Sequence, residues 1–292
     1  MKPLFRLMTE LSSRKWVSRI TGRFAKSAVS RGLIPRFAKT YGIRIEDAEK
    51  HVSEYASLND FFYETFEKKG LRPIDPDQSV VISPVDALIT GIGPIVEGEM
   101  MNIKGQDYTV QELLNQSPRT VNYRNGTYIV LYLSPTDYHR IHAPVTGQII
   151  EKELISGKVY PVNEFGLTQM TRVLSRNVRL VTYVQQEFGE LAIVKVGALN
   201  VSSISYVEPL GSRIERGQEL AYFEFGSTVV LLMESGIFAP RPDLKAGSKV
   251  KVGEGLGSFT RKRSTAHIIS RPLVPYELHG SRSPESLAPY IL

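Results

Sequence analysis

The dipeptide Gly226-Ser227 lies between two segments that both seek burial: Leu220-Ala221-Tyr222-Phe223-Glu224-Phe225 before it and Val229-Val230-Leu231-Leu232-Met233 after it. A glycine carbonyl is shielded by no Cβ and its backbone tolerates strain, so the hydroxyl of the next residue can attack it. Serine after glycine is thus the arrangement of an autocatalytic serinolysis, in which the chain cuts itself. The competing reading is a β-bulge that tucks the Ser227 and Thr228 hydroxyls into a sheet. A hydrolase elbow is excluded, because G-x-S-x-G needs glycine where this chain has Phe225 and Val229. A serine nucleophile needs a base, and the base an orienting acid. Asp86, His142 and Ser227 supply the three in chain order, although most chains of this length contain these residue types. His139 and His142 would share a face on a helix but not on a strand, and Pro144 argues against a helix. With no cysteine to add a ligand, although carboxylates could, no metal is expected.

The lack of cysteine also excludes disulfides and thiolate catalysis. A chain of 292 residues, 42% apolar and 23% charged, is long enough to bury one sizeable core or two small ones. No apolar run reaches the roughly 18 residues needed to span a bilayer, and the start lacks the pattern of a signal peptide. Positive charge is concentrated at one end. Eleven Lys or Arg against Glu10 alone between Met1 and Arg44 outweigh the net +6 of the whole chain. Between Ser12 and Ser30, the row Trp16, Ile20, Phe24 and Ala28 is flanked by Lys15, Arg19, Arg23 and Lys26, which predicts a basic amphipathic helix. Such a helix suits either its own domain or an anionic membrane surface. No nucleic-acid recognition motif accompanies it.

Other elements must position the chemistry. Ile45, Ala48, Val52 and Tyr55 predict a second helix, and Ser57 with Asp60 a capping box opening a third that carries Leu58, Phe61, Phe62 and Phe66. Gly70, Pro73 and Pro76 close the helical region. From Val80 the pattern turns to short strands with turns between them, the first ending near Asp86. After the Asn125-Gly126 turn, Thr127 to Leu133 reads as a core strand that delivers the histidine segment. Gly211 to Leu220 repeats as Gly247 to Leu256, and both copies read as glycine-bounded hairpins of the kind found in biotinyl and lipoyl carriers. A non-catalytic carrier modified at Lys104, within Met101-Asn102-Ile103-Lys104, is therefore one alternative. The expected fold class is α+β: residues 1–79 helical and membrane-associating, residues 80–259 a β-rich body of mainly antiparallel strands and hairpins, and residues 260–292 a poorly ordered basic tail.

Four segments in this order carry a resemblance: Ser83-Pro84-Val85-Asp86, Leu133-Ser134-Pro135-Thr136-Asp137-Tyr138-His139-Arg140-Ile141-His142-Ala143-Pro144, Tyr160-Pro161-Val162-Asn163, and Phe225-Gly226-Ser227-Thr228. From about Pro35 to Phe259 the chain resembles the pyruvoyl-dependent phosphatidylserine decarboxylases of bacteria. Ala87 and Thr136 depart from that family's usual glycine and arginine. The resemblance implies a proenzyme cut between Gly226 and Ser227 into a large chain, 1–226, and a small chain, 227–292, that stay together as a heterodimer. Asp86, His142 and Ser227 would form the charge relay for the cut, and Ser227 would become a covalent pyruvoyl cofactor. That group would take the amine of phosphatidylserine as a Schiff base and act as an electron sink for decarboxylation to phosphatidylethanolamine. His139 is the candidate proton donor. A lipid substrate implies a peripheral position on the cytoplasmic face of the cell membrane. A soluble pyruvoyl-dependent amino-acid decarboxylase is the other enzyme these residues allow, and lipid binding separates the two.

Overall fold

Five consecutive apolar residues can be buried on both faces only inside a sheet, and Val229 to Met233 lie in such a place. Strand Ser227–Met233 is buried at every position. It pairs antiparallel with Thr127–Leu133 on one side and Gly189–Val196 on the other. The computed structural model describes residues 15–43, 45–48, 50–64, 72–96, 100–103, 106–134, 137–162, 167, 170–198, 204–223 and 227–260. They fall in one compact unit, Met1–Lys262. The Trp16 side chain, Lys104, Thr136, Asn163, Phe225, Gly226 and the expected tail after Thr260 lie outside the described residues.

The large sheet has eight strands in the order Arg213–Ile214, Gly147–Ile155, Arg179–Gln186, Gly189–Val196, Ser227–Met233, Thr127–Leu133, Ala87–Pro94 and Lys249–Val250. Two three-stranded sheets accompany it. In one, Glu219–Phe223 lies between Ile204–Tyr206 and Arg140–His142; in the other, Gly255–Phe259 lies between Val80–Ile82 and Phe238–Pro240. All these ladders are antiparallel, as expected of a β-rich body. Their inward residues form one core that runs from Val81 to Leu256.

The N-terminal helices α1 (Lys15–Lys26), α2 (Ile34–Tyr41) and α3 (Leu58–Glu64) share a smaller core of Ile34, Ala38, Ile43, Ala48, Tyr55, Leu58 and Phe61. The capping expectation at α3 holds in relayed form. The Ser57 hydroxyl accepts from the Asp60 N–H at 3.1 Å, while the Asp60 carboxylate accepts from Ala56 N–H at 2.7 Å. The expected helix over Ile45 to Tyr55 is absent. Two short 3-10 turns, Ile45–Asp47 and Val52–Glu54, stand there, the second capped by His51. The helix forms earlier instead, as α2, between Pro35 at its start and Gly42 in the left-handed region at its end, the positions these residues favour.

The two repeat copies are not hairpins. In each, the strands on either side of the turn join different sheets, because another segment pairs with the turn itself. Gly217 N–H donates to Ala143 O and Ala143 N–H to Gln218 O; likewise Gly253 N–H donates to Ser83 O and Ser83 N–H to Glu254 O. Gly217 and Gly253 both hold positive φ, +83° and +86°.

Candidate active site

Ser227 opens the central strand opposite Leu133, and from there on the ladders show no register shift, so no bulge appears among the described residues; Gly226 lies outside them. Neither Ser227 Oγ nor Thr228 Oγ1, both buried, has a hydrogen-bond partner among the described residues. Two unpaired buried hydroxyls cost roughly 1–3 kcal/mol each. Burying the five apolar residues after them contributes on the order of 10 kcal/mol, so the strand forms despite its two polar positions.

The register fixes which way each side chain points. Val229 opposes Lys195, and Leu133 opposes Ser227, so Ser227 and Lys195 share one face of the sheet while Thr228 takes the other. The small sheet covers the Ser227 face: Tyr206 Oη lies 2.8 Å from Thr182 Oγ1, to which the fully buried Lys195 Nζ donates at 2.5 Å. Burial holds the Lys195 amine well below its usual range. The same small sheet carries His142 on Arg140–His142. Leu133 pairs with Ser227, and His139 O accepts from Phe223 N–H (3.1 Å). These two pairings tie Phe223 and Ser227, on either side of residues 224–226 in sequence, to the segment that carries His139.

Both histidines are fixed as tautomers by carbonyls, which can only accept. His142 Nδ1–H donates to Gly217 O at 2.7 Å, leaving Nε2 to accept from the Tyr138 hydroxyl at 3.2 Å. His139 Nδ1–H donates to Asp137 O at 2.6 Å. Burial pushes the His139 imidazole down to about 4, against smaller upward effects of that hydrogen bond and of the Asp86 charge. In the uncut chain His139 is therefore neutral, whereas a proton donor needs a protonated fraction near neutral pH.

Asp86 does not touch His142. Its oxygens accept from Arg72 Nε at 2.9 Å, Arg72 Nη2 at 2.7 Å and Val252 N–H at 2.9 Å. The Arg72 guanidinium lies over the Tyr138 ring, 4.6 Å from its centroid. Asp137 adds a second carboxylate, which accepts from Ser134 N–H at 2.7 Å. Burial raises its pKa, against the lowering hydrogen bonds from Ser134 and, more weakly, the Lys249 charge, while the Asp86 charge adds to the rise. The structure thus gathers Asp86, His139 and His142 around Tyr138 and Arg72, and sets Ser227 on the face beneath the sheet that bears His142, but it makes no direct relay contact among Asp86, His142 and Ser227. The sequence reading missed Arg72, Tyr138, Asp137, Gly217, Lys195 and Val252. The repeat marks Gly217 and Val252, and the histidine segment contains Asp137 and Tyr138; nothing marks Arg72 or Lys195. Among the described residues no three His, Asp or Glu side chains converge as a metal site.

The buried Ser227 hydroxyl behind a glycine has no partner among the described residues that would give it a structural role. The sequence model for phosphatidylserine decarboxylase matches residues 58–258, a span that holds Arg72, Asp86, both histidines and Ser227. A phosphatidylserine decarboxylase proenzyme of Geobacillus kaustophilus (strain HTA426) is 44% identical over 256 residues, covering 88% of this chain and 96% of the relative. That of Bacillus thuringiensis (strain Al Hakam) is 39% identical over 257 residues, covering 88% and 97%. With the site residues inside the matched span and relatives alike over nearly their whole length, the chain belongs to the phosphatidylserine decarboxylase family.

Proposed function

We propose that the chain is a proenzyme that cuts itself between Gly226 and Ser227 and then decarboxylates phosphatidylserine to phosphatidylethanolamine. The observation that carries this is Ser227 Oγ, wholly buried, unpartnered among the described residues and next to glycine at the head of the central strand. In the cut, Ser227 Oγ attacks the Gly226 carbonyl carbon, passing its proton to His142, and an ester replaces the peptide bond. Loss of the Gly226 carboxylate from Cβ together with the Cα proton, then uptake of water and release of ammonia, leaves a pyruvoyl group at 227. When bound to the substrate amine, that group supplies an electron sink. The chain's own residues exclude water and move the proton. Proton delivery to the substrate α carbon is assigned to His139 Nε2. The anionic headgroup, entering the buried site, favours the imidazolium that the uncut chain disfavours.

Residues 1–79 are assigned to membrane attachment, residues 80–259 to the catalytic body, and the two products, 1–226 and 227–292, to a heterodimer. Helix α1 supports the attachment: Ile20, Phe24, Val29 and Leu33, in α1 and the turn after it, are exposed, as are Arg23, Lys26, Arg31, Arg36 and Lys39. Among the described residues no helix is long and apolar enough to cross a membrane, so docking on the anionic cytoplasmic face is the attachment proposed.

Intact mass tests the reading. Two chains are expected, the smaller beginning at residue 227, one ammonia lighter than its serine form and refractory to Edman sequencing. A single uncut chain with full activity would sink it.

A further inference from the structure

Resting on the self-cleavage reading above, we propose that Arg72 is a positioning residue for His142, coupling the Asp86 carboxylate to the histidine through Tyr138. The argument begins with an internal two-fold relation. Ile82 N–H donates to Pro144 O and His142 N–H to Pro84 O, so the segments Ile82–Pro84 and His142–Pro144 embrace reciprocally. Under this relation Asp86 corresponds to Thr146. The Thr146 hydroxyl accepts from Arg216 N–H at 3.0 Å, as Asp86 Oδ1 accepts from Val252 N–H at 2.9 Å. Arg216 and Val252 are equivalent positions of the two repeat copies. A neutral hydroxyl therefore suffices to hold this turn. What the carboxylate at 86 adds over threonine is its two-pronged grip on Arg72.

That grip leads to the histidine. The guanidinium carbon lies 4.6 Å from the Tyr138 ring centroid, within range of a cation–π contact, and a cation on that face polarises the phenol O–H that donates to His142 Nε2. Gly217 O fixes one end of the imidazole and Tyr138 the other. Asp86 thus reaches His142 through two intermediaries. Lysine cannot offer the two-pronged fork, so it is no substitute here.

Cell-free synthesis of the full chain, with cutting followed by gel over time, tests this. Arg72→Ala is expected to cut at least tenfold more slowly than wild type, and Arg72→Lys to remain slow. Guanidinium added to the buffer should restore part of the Arg72→Ala rate and none of the Asp86→Asn rate. Asp86→Thr, which copies the symmetry mate, should keep the melting temperature yet cut as slowly as Arg72→Ala. Tyr138→Phe should be slow, with the Arg72→Ala/Tyr138→Phe double no slower than the slower single. In an uncut Ser227→Ala background, His142 should keep its Nδ1–H tautomer, and its Nε2 signal should shift on Arg72→Ala as the hydrogen bond from the Tyr138 hydroxyl weakens. Wild-type cutting by Arg72→Ala overturns the proposal, as does a slow variant that guanidinium cannot restore and whose defect multiplies with Tyr138→Phe. A wild-type chain that never cuts defeats the self-cleavage reading instead.

Discussion

His139 shows how burial alone can set the sign of a pH effect. Its folded-state pKa of about 4 lies below the ordinary 6.5, so between those values the unfolded chain binds a proton that the folded chain does not. Stability contributed by keeping it neutral is present above 6.5 and is lost as pH falls towards 4, by about 3 kcal/mol at most. The same burial bears on the proposed proton delivery, provided the cut enzyme keeps it. If His139 must be protonated to deliver its proton, kcat/KM should fall by up to tenfold per unit as pH rises from 5 to 8, because the free enzyme is the reference state for that ratio. His139→Gln should cut itself, lose most turnover and show no such slope. A flat wild-type profile would remove His139 from the role of donor. At this scale the sequence was partly legible. Ser227, His139, His142 and Asp86 could be picked out by type and motif, but their partners could not, because Arg72 and Gly217 meet them only through folding.

At the scale of elements, the two turns of the repeat carry the site. Gly217 sits at φ +83°, where residues other than glycine are strained, and a Cβ there would also displace Ile74 Cδ1, 2.1 Å away, so substitution strains the turn whose carbonyl holds His142. Gly217→Ala is expected to lower stability by about 1–2 kcal/mol and to slow cutting severalfold. Gly247→Ala, at φ +96° with nothing within 4 Å of the added carbon, supplies similar backbone strain away from the histidines. It should leave the cutting rate unchanged, and equal slowing in both variants would reduce the Gly217 effect to general strain. The repeat was visible in sequence at its full length. Its shape was not, because glycine spacing reports a turn without saying whether its arms pair with each other or with strands far along the chain. The misplaced second helix has a similar cause: apolar spacing over Ile45 to Tyr55 serves two short turns as well as one helix.

Across the whole molecule, the exposed apolar and basic residues near α1 give the membrane reading its test. Sedimentation with vesicles containing anionic lipid should capture the protein, and 0.5 M salt should weaken capture through screening, by roughly 1 kcal/mol for each basic residue near the surface. Ile20→Glu with Phe24→Glu should reduce capture at least tenfold while leaving self-cleavage intact. Equal capture by neutral vesicles, or no loss in the variant, would move the docking surface elsewhere. The α+β division and the antiparallel body were legible from period and turn residues, whereas the stacking of the small sheet over the Ser227 face was not, since no local pattern encodes which sheet a strand joins.

The position of Ser227–Met233 inside the eight-stranded sheet also governs when the protein can mature. The residues that complete the surroundings of Asp86 and Asp137, Val252 and Lys249, are synthesised after the bond that is to be cut. A nascent chain that has only just made its scissile dipeptide has neither the strand's neighbours in register nor these contacts. Under the proposed cut, self-cleavage would thereby be tied to finished folding, and the new chain end would stay threaded between two strands of the other product, making the cut a one-way record that the molecule folded.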